Sequence, residues 1–268
     1  MRTRELGLAV GLGFGRLGAL WDLTRPMLTR RDALKLFGAA AASMFWRRSM
    51  AASQTPRPAA DAVDHLLLGT RDLDAGIEWV AKTTGVKAAV GGSHPGRGTR
   101  NALIALGRRR YLEIIAPDPA QPPENLTRNL RTLAQPRLIA WASANGDLDA
   151  LAGQLRARNQ QLIGPSDGSR VRPDGRKLAW RSLALQTTFE RDGIDPIPFF
   201  IEWARESAHP SLDSPAGCEL MTFAIEHPVA DGVRSSLAQA GIDADVRQAP
   251  TCRLIATLTT PNGRVVLS

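Results

Sequence analysis

His65 sits near the start of an apolar run, VDHLLLG, and Glu113 sits in the middle of another, YLEII. Strand interiors do not accept imidazole or carboxylate without cost. A buried ionised carboxylate must be paired, hydrogen-bonded or bound to a metal. Glu202 has the same setting in FFIEWA. His94 lies in GGSHPGRGTRN, where Gly91, Gly92, Gly96 and Gly98 would let backbone amides approach a ligand closely. A tight turn around a hydrogen-bonded histidine is the other reading of that loop. His209 and His227 each precede a proline. His227, at a strand-to-helix turn, reads as a surface residue. For Glu113 and Glu202 the competing reading is a salt bridge, for instance to Arg110 or Arg181.

The elements that must position these residues come in three similar units. The first opens with the apolar run from Val63 to Leu68. Thr70 or Asp72 can cap a helix in which Leu73, Ile77, Val80 and Ala81 fall at helical spacing, and Gly85 ends it. Strand-like runs follow at 86–90, 102–106 and 110–115. The second unit opens at 137–144. Its helix starts with Asp147-Leu148-Asp149-Ala150, echoing Asp72-Leu73-Asp74-Ala75, and its strand-like runs lie at 177–185 and 197–204. The third unit opens at 220–225. It continues with a helix over 229–240 and short runs at 244–247, 253–258 and 265–267. Gly107, Asp167-Gly168, Asp174-Gly175, Asp192-Gly193 and Asn262-Gly263 mark turns. Aligning Asp72 with Asp147 sets His65 opposite Ala140. Aligning the last strands sets Tyr111-Leu112-Glu113 opposite Phe200-Ile201-Glu202. A glutamate in each unit, with a histidine on the first strand of one, suggests a shared site on a pseudo-twofold axis. Tyr111 and Trp141 read as core or pocket wall.

The charge of +8 is concentrated at one end. Residues 1–51 hold nine basic and three acidic side chains, and the remainder is nearly balanced at 25 and 23. Arg108, Arg109 and Arg110 fall in a turn between strands, so the sequence offers no basic stripe for nucleic acid. Thr29-Arg30-Arg31-Asp32-Ala33-Leu34-Lys35 resembles the twin-arginine export consensus. The apolar stretch after it is shorter than the ~20 residues a membrane span needs. Residues 1–51 are therefore expected to be a signal peptide cleaved before Ala52. That implies a periplasmic protein with no stable membrane span after cleavage, and either Met1 or Met27 could be the start. Residues 52–62 read as a linker. Cys218 and Cys252 could bridge in an oxidising compartment or remain as buried thiols.

The βαβββ repeat, His65, Glu113, Glu202, the GGSHPGRGTRN run and the SAHPS segment together resemble the glyoxalase-like branch of the vicinal oxygen chelate superfamily. The resemblance spans 63–211 and is weaker over 218–268. It implies an α+β fold: βαβββ modules at 63–118 and 137–204 pair into a curved, cupped sheet, with a third βαββ(β) unit at the C-terminus. It also implies a divalent metal (Zn, Ni, Fe or Mn) held by His65, Glu113 and Glu202, the fourth position falling on Ala140, or else a site that has lost its metal. His94 or His209 could supply a missing ligand. Glu202 and His94 are the candidate catalytic groups, and His94, Thr99, Asn101 and His209 the candidate substrate contacts. The implied activity is that of a lyase, isomerase or dioxygenase acting on adjacent oxygens of a small substrate. The alternative is a metal-free protein that sequesters a small molecule. An unpaired third module further suggests a homodimer, or a module that caps the sheet.

Overall fold

The computed structural model describes residues 56–126, 128–172 and 174–268. The expected signal peptide and the start of the linker lie outside them. Within the described residues, no helix is long and apolar enough to cross a membrane.

The chain enters through a short strand β1 (Arg57–Pro58) and a one-turn helix α1 (Ala59–Ala62). Ala59 and Ala62 are buried, so the end of the expected linker is part of the core. The first module follows as β2 (Val63–Gly69), α2 (Leu73–Thr84), β3 (Ala89–His94), β4 (Thr99–Ala105) and β5 (Tyr111–Pro117). The second is β6 (Arg137–Ala144), α3 (Leu148–Ala157), β7 (Leu162–Val171), β8 (Lys177–Leu185) and β9 (Phe199–Trp203). The third comprises β10 (Glu219–His227), α4 (Ala230–Gln239), β11 (Ile242–Asp243), β12 (Asp245–Gln248), β13 (Arg253–Thr260) and β14 (Gly263–Leu267).

The repeated Asp-Leu-Asp-Ala words act as helix starts. Asp72 accepts a hydrogen bond from the Ala75 amide at 2.8 Å, and Asp147 accepts one from the Ala150 amide at 2.9 Å. Gly85 ends α2 in the left-handed conformation, φ 81°. The Asn262 amide, from the third unit, donates to the Lys82 and Thr83 carbonyls that α2 leaves unpaired.

The first two modules share one eight-stranded sheet, ordered β3-β4-β5-β2-β6-β9-β8-β7. In each, the first strand pairs in parallel with the last: His65 lies opposite Tyr111, and Ala142 opposite Phe199. The two first strands, β2 and β6, run antiparallel at the centre. The sheet curls until its edges touch, where Arg170 on β7 donates to the Gly91 carbonyl on β3. This is the expected cupped sheet. One strand was not expected. β7 contains Asp167-Gly168, which read as a turn, yet it pairs with β8 on both sides of an irregularity at Gly164 and Pro165. Gly168 is required there because a Cβ would lie 2.6 Å from the Trp180 ring.

The third unit is wired differently. Its sheet runs β12-β10-β13-β14, so the first strand is interior and pairs antiparallel with β13. It packs on the convex face of the large sheet, and its apolar residues join the same core. Trp141 of β6 meets Phe223 of β10 at 5.0 Å between ring centroids. The Trp141 indole also donates to the Pro196 carbonyl at 3.0 Å. The unit thus caps the large sheet, which removes the unpaired module as a reason for a homodimer. Cys218 and Cys252 are separate buried thiols.

Candidate functional site

The concave face of the large sheet encloses a cavity of about 480 Å³. Alternation along the central strands decides what enters it. His65 and Leu67 point in from β2, while Leu66 and Leu68 point into the core. Tyr111, Glu113 and Ile115 enter from β5, and Phe199, Ile201 and Trp203 from β9. The segment between the modules closes one end, with Leu130 and Leu133 packed against Leu67, Ile139 and Ala140.

Glu113 is the centre of the polar wall and is only 6% exposed. Asn101 donates to its Oε1 at 2.6 Å, and His94 Nε2 stands 3.4 Å from the same oxygen. His65 Nε2 faces the other oxygen at 3.6 Å, too far for a hydrogen bond. Burial alone would push the Glu113 carboxyl up, but His94, His65 and the Asn101 hydrogen bond together hold it below the usual carboxylate range. His94 is pushed down from its ordinary value, chiefly by burial, against the pull of Glu113. Its Nδ1 meets Thr99 Oγ1 at 2.8 Å, and the Asn101 amide nitrogen lies 3.2 Å from its Nε2. Donation from Asn101 to Nε2 leaves the ring proton on Nδ1, facing Thr99. The loop around His94 is a tight turn with a hydrogen-bonded histidine, and His94 and Pro95 line the cavity. Gly91 makes room for this arrangement, since a Cβ there would lie 2.3 Å from Asn101 Oδ1.

His65 is anchored from behind. Its Nδ1 pairs with Asp64 Oδ1 at 2.8 Å, and the ring stacks on Tyr111 at 4.5 Å. Neighbouring strand residues normally face opposite sides. A register irregularity between Val63 and His65 accompanies the contact between their side chains. Asp64 Oδ2 receives the Trp203 indole N–H at 3.1 Å and lies 3.2 Å from His209 Nε2. Burial opposes ionisation of Asp64, but the hydrogen bonds from His209 and His65 outweigh it and hold the carboxyl far below its ordinary range.

The structure therefore brings together His65, Glu113, His94, Thr99 and Asn101, and it separates two expected members from them. Glu202 does not reach the cavity. It lies on the outer side of β9, where its Oε2 accepts from the Leu148 amide at 3.2 Å and faces Arg181 Nη1 at 3.6 Å. The correction is one of register. The offset between Asp72 and Asp147 carries Leu67, the partner of Glu113, onto Ala142, the partner of Phe199. Phe199 is thus the counterpart of Glu113. His209 is not a wall residue either; it is buried behind Asp64 and caps the short helix Pro210–Leu212. His227 is fully buried rather than at the surface, its ring nitrogens engaged by the Phe189 carbonyl and the Val229 amide.

Sequence reasoning missed Asp64 and Arg170. An aspartate next to His65 inside an apolar run was the available signal for the first. The second was hidden because β7 was read as turns.

A resident metal of the superfamily kind does not fit these donors. The second module contributes Ala140 and Phe199, neither of which can ligate. His65 and His94 stand on opposite oxygens of one carboxylate. Among the described residues, no three His, Cys, Asp or Glu side chains are arranged to hold a metal ion.

A family model described as a glyoxalase-like domain matches residues 63–241. No curated protein matches the chain. Among solved structures, a hypothetical protein from Staphylococcus aureus aligns with a TM-score of 0.51 at 18% identity, covering 76% of this chain and 83% of that one. Methylmalonyl-CoA epimerase from Mycobacterium tuberculosis aligns at 0.38 and 21% identity, covering 54% and 89%. A Streptomyces coelicolor methylmalonyl-CoA epimerase variant in complex with 2-nitronate-propionyl-CoA aligns at 0.40 and 19%, covering 55% and 97%. At 18% identity the first likeness is one of fold alone, and the two epimerase alignments fall too low to carry an argument. With the family match and the paired modules in one curved sheet, the chain belongs to the glyoxalase-like domain family, on the vicinal oxygen chelate fold.

Proposed function

We propose that this protein is a proton-transferring isomerase or lyase acting on a small carbonyl compound, with Glu113 as the base. The observation that carries the reading is a buried, ionised carboxylate on a cavity wall, held by Asn101 and flanked by two imidazoles. A base must be oriented and kept in its charged form, and Asn101 and the two imidazoles do both for Glu113. The reacting C–H bond lies next to a carbonyl. Its proton passes to Glu113, and the electron pair moves onto the carbonyl oxygen as an enolate. His65, when protonated, donates from Nε2 to that oxygen. The proton then returns to carbon, or the enolate expels a β-substituent. Asp64 fixes a proton on His65 Nδ1, and this aims Nε2 at the reaction. No step is routed through a metal, because the donor set does not suit one.

The test is exchange of the acidic C–H of phenylpyruvate in D2O, followed by proton NMR above the buffer rate. Wild type should accelerate exchange and Glu113→Gln should not. Binding of the probe by wild type without exchange would replace this reading with that of a sequestration protein. Exchange abolished by a chelator and restored by zinc or manganese would restore the metal reading.

We propose also that the protein acts in the periplasm, exported through the Arg30-Arg31 signal. The mature form from a periplasmic fraction should begin at Ala52 on N-terminal sequencing. An intact N-terminus in the cytoplasmic fraction would remove this part of the proposal.

A further inference from the structure

Arg170 is 6% exposed, lines the cavity and has no carboxylate within ion-pair distance among the described residues. Among the described residues its side chain makes one hydrogen bond, from Nη1 to the Gly91 carbonyl. A guanidinium carries five N–H donors in a planar fork suited to carboxylate oxygens. Several other arginines that bridge segments meet acids, whereas the exposed Arg57 and Arg158 meet carbonyls. Arg181 meets Asp149, and Arg172 and Arg176 meet Asp213. Arg170 is thus a buried cation with no direct ion-pair partner among the described residues; Glu113, whose carboxyl it helps to hold down, lies beyond ion-pair distance.

The rest of the cavity says what kind of molecule could bring it. Arg97, at the mouth, also has no acidic partner among the described residues. The second module's wall, which carries Arg170 itself, is otherwise apolar and aromatic: Ile139, Trp180, Phe199, Ile201 and Trp203. A small inorganic anion would leave that wall bare, and a neutral apolar molecule would leave Arg170 unpaired at a burial cost.

We infer that the substrate is a small carboxylic acid with an apolar body, its carboxylate bound by Arg170 and its body packed on the Trp180–Trp203 wall. This rests on the proposed reading of Glu113 and deepens it. The carboxylate anchored at Arg170 holds the neighbouring carbon acid before the base. The contact between Arg170 and Gly91 is also a clasp between the sheet edges, so the experiment must separate binding from closure.

Trp180 and Trp203 line the cavity and report occupancy by fluorescence quenching. Titrating the full-length protein with phenylacetate, phenylacetamide and phenyl phosphate compares one body with three heads. Wild type should bind phenylacetate about tenfold or more tightly than the amide, as a charge-assisted fork requires. Arg170→Gln should erase that preference while the amide binds as before. Equal binding of acid and amide by wild type, a preference that survives in Arg170→Gln, or no binding of any probe would overturn the inference. Tighter binding of phenyl phosphate would overturn the carboxylate assignment in favour of a phosphate. The wild-type comparison decides the matter even if Arg170→Gln does not fold. Glu113→Gln should abolish exchange without weakening phenylacetate, so failure at Arg170 and failure at Glu113 give different results.

Discussion

The two modules of the large sheet have the same strand pairing and the same helix caps, but they line the cavity with different chemistry. The first contributes His65, His94, Asn101 and Glu113. At the corresponding inward positions the second contributes Ala140 and Phe199, followed by Ile201 and Trp203. A chelating centre would need ligands from both halves. Here one half supplies a buried carboxylate and two imidazoles, and the other supplies an apolar wall carrying one buried cation, Arg170. The comparison teaches that a symmetric backbone does not impose a symmetric site. A symmetric pair of glutamates in the sequence can also be the wrong pair, because one residue of register turns a side chain to the opposite face.

The largest expected effect tests the polar half. Glu113→Gln should lower probe exchange by roughly 10²- to 10⁴-fold, the usual contribution of a positioned base. An undiminished rate in the NMR assay would move the chemistry elsewhere. Next comes the support behind His65. Asp64→Ala removes the partner of two buried imidazoles and of the part-buried Trp203 indole, and should cost about 3–5 kcal/mol in urea unfolding. Little change in the midpoint would mean that the Asp64 contacts do not hold the cup.

The asymmetry itself can be reversed. Ala140→His combined with Phe199→Glu places ligating side chains in the second half, opposite His65 and Glu113. The double variant should retain about one equivalent of divalent metal after dialysis, as a four-ligand site would, whereas wild type should not. Equal metal content by elemental analysis would show that the second module is not what excludes metal.

Acid should weaken the polar half in stages. His94, Glu113 and Asp64 all have folded values below their unfolded ones, so each stabilises the fold at neutral pH and loses that contribution as pH falls. Burial shifts His94 down, so its loss starts below 6.5. The losses from Glu113 and Asp64 start below 4.5 and 3.8, and the neighbours named above overcome burial in both. Melting temperatures measured from neutral to acid pH should fall across these ranges. Asp64→Asn should remove part of the lower stage, and a flat profile would contradict the network.

The smallest effect belongs to Glu202. It caps the start of α3 and faces Arg181 at the surface, so Glu202→Gln should cost about 0.5–1 kcal/mol and leave exchange unchanged. Loss of exchange in that variant would return Glu202 to the site.

Much of the fold was legible because its signals are local. Asp72 and Asp147 start helices through their own side chains, Gly85 ends one through its φ, and the apolar runs alternate where β2, β5 and β9 are half core and half cavity. β7 was not legible. Its residues satisfy their backbones through β8, the next strand, and Gly168 packs under Trp180, so hairpin pairing holds extended a stretch whose own residues favour a turn. The third unit was visible as elements, but its different strand order and its place on the convex face were not.

The sequence by itself determined the chemistry available: a histidine and a glutamate inside strands, a glycine-rich loop with a second histidine, and a repeat to hold them. A buried charge must be compensated, so residue type singled out His65 and Glu113, and by the same signal Glu202, which lies outside the cavity. Tertiary structure alone decided which of these groups meet. Facing is fixed by strand register and by the irregularity beside Asp64, both of which are set by pairing between distant segments. That pairing turned Glu202 outward, brought Asp64 behind His65, and carried Arg170 across the closing sheet into the cavity.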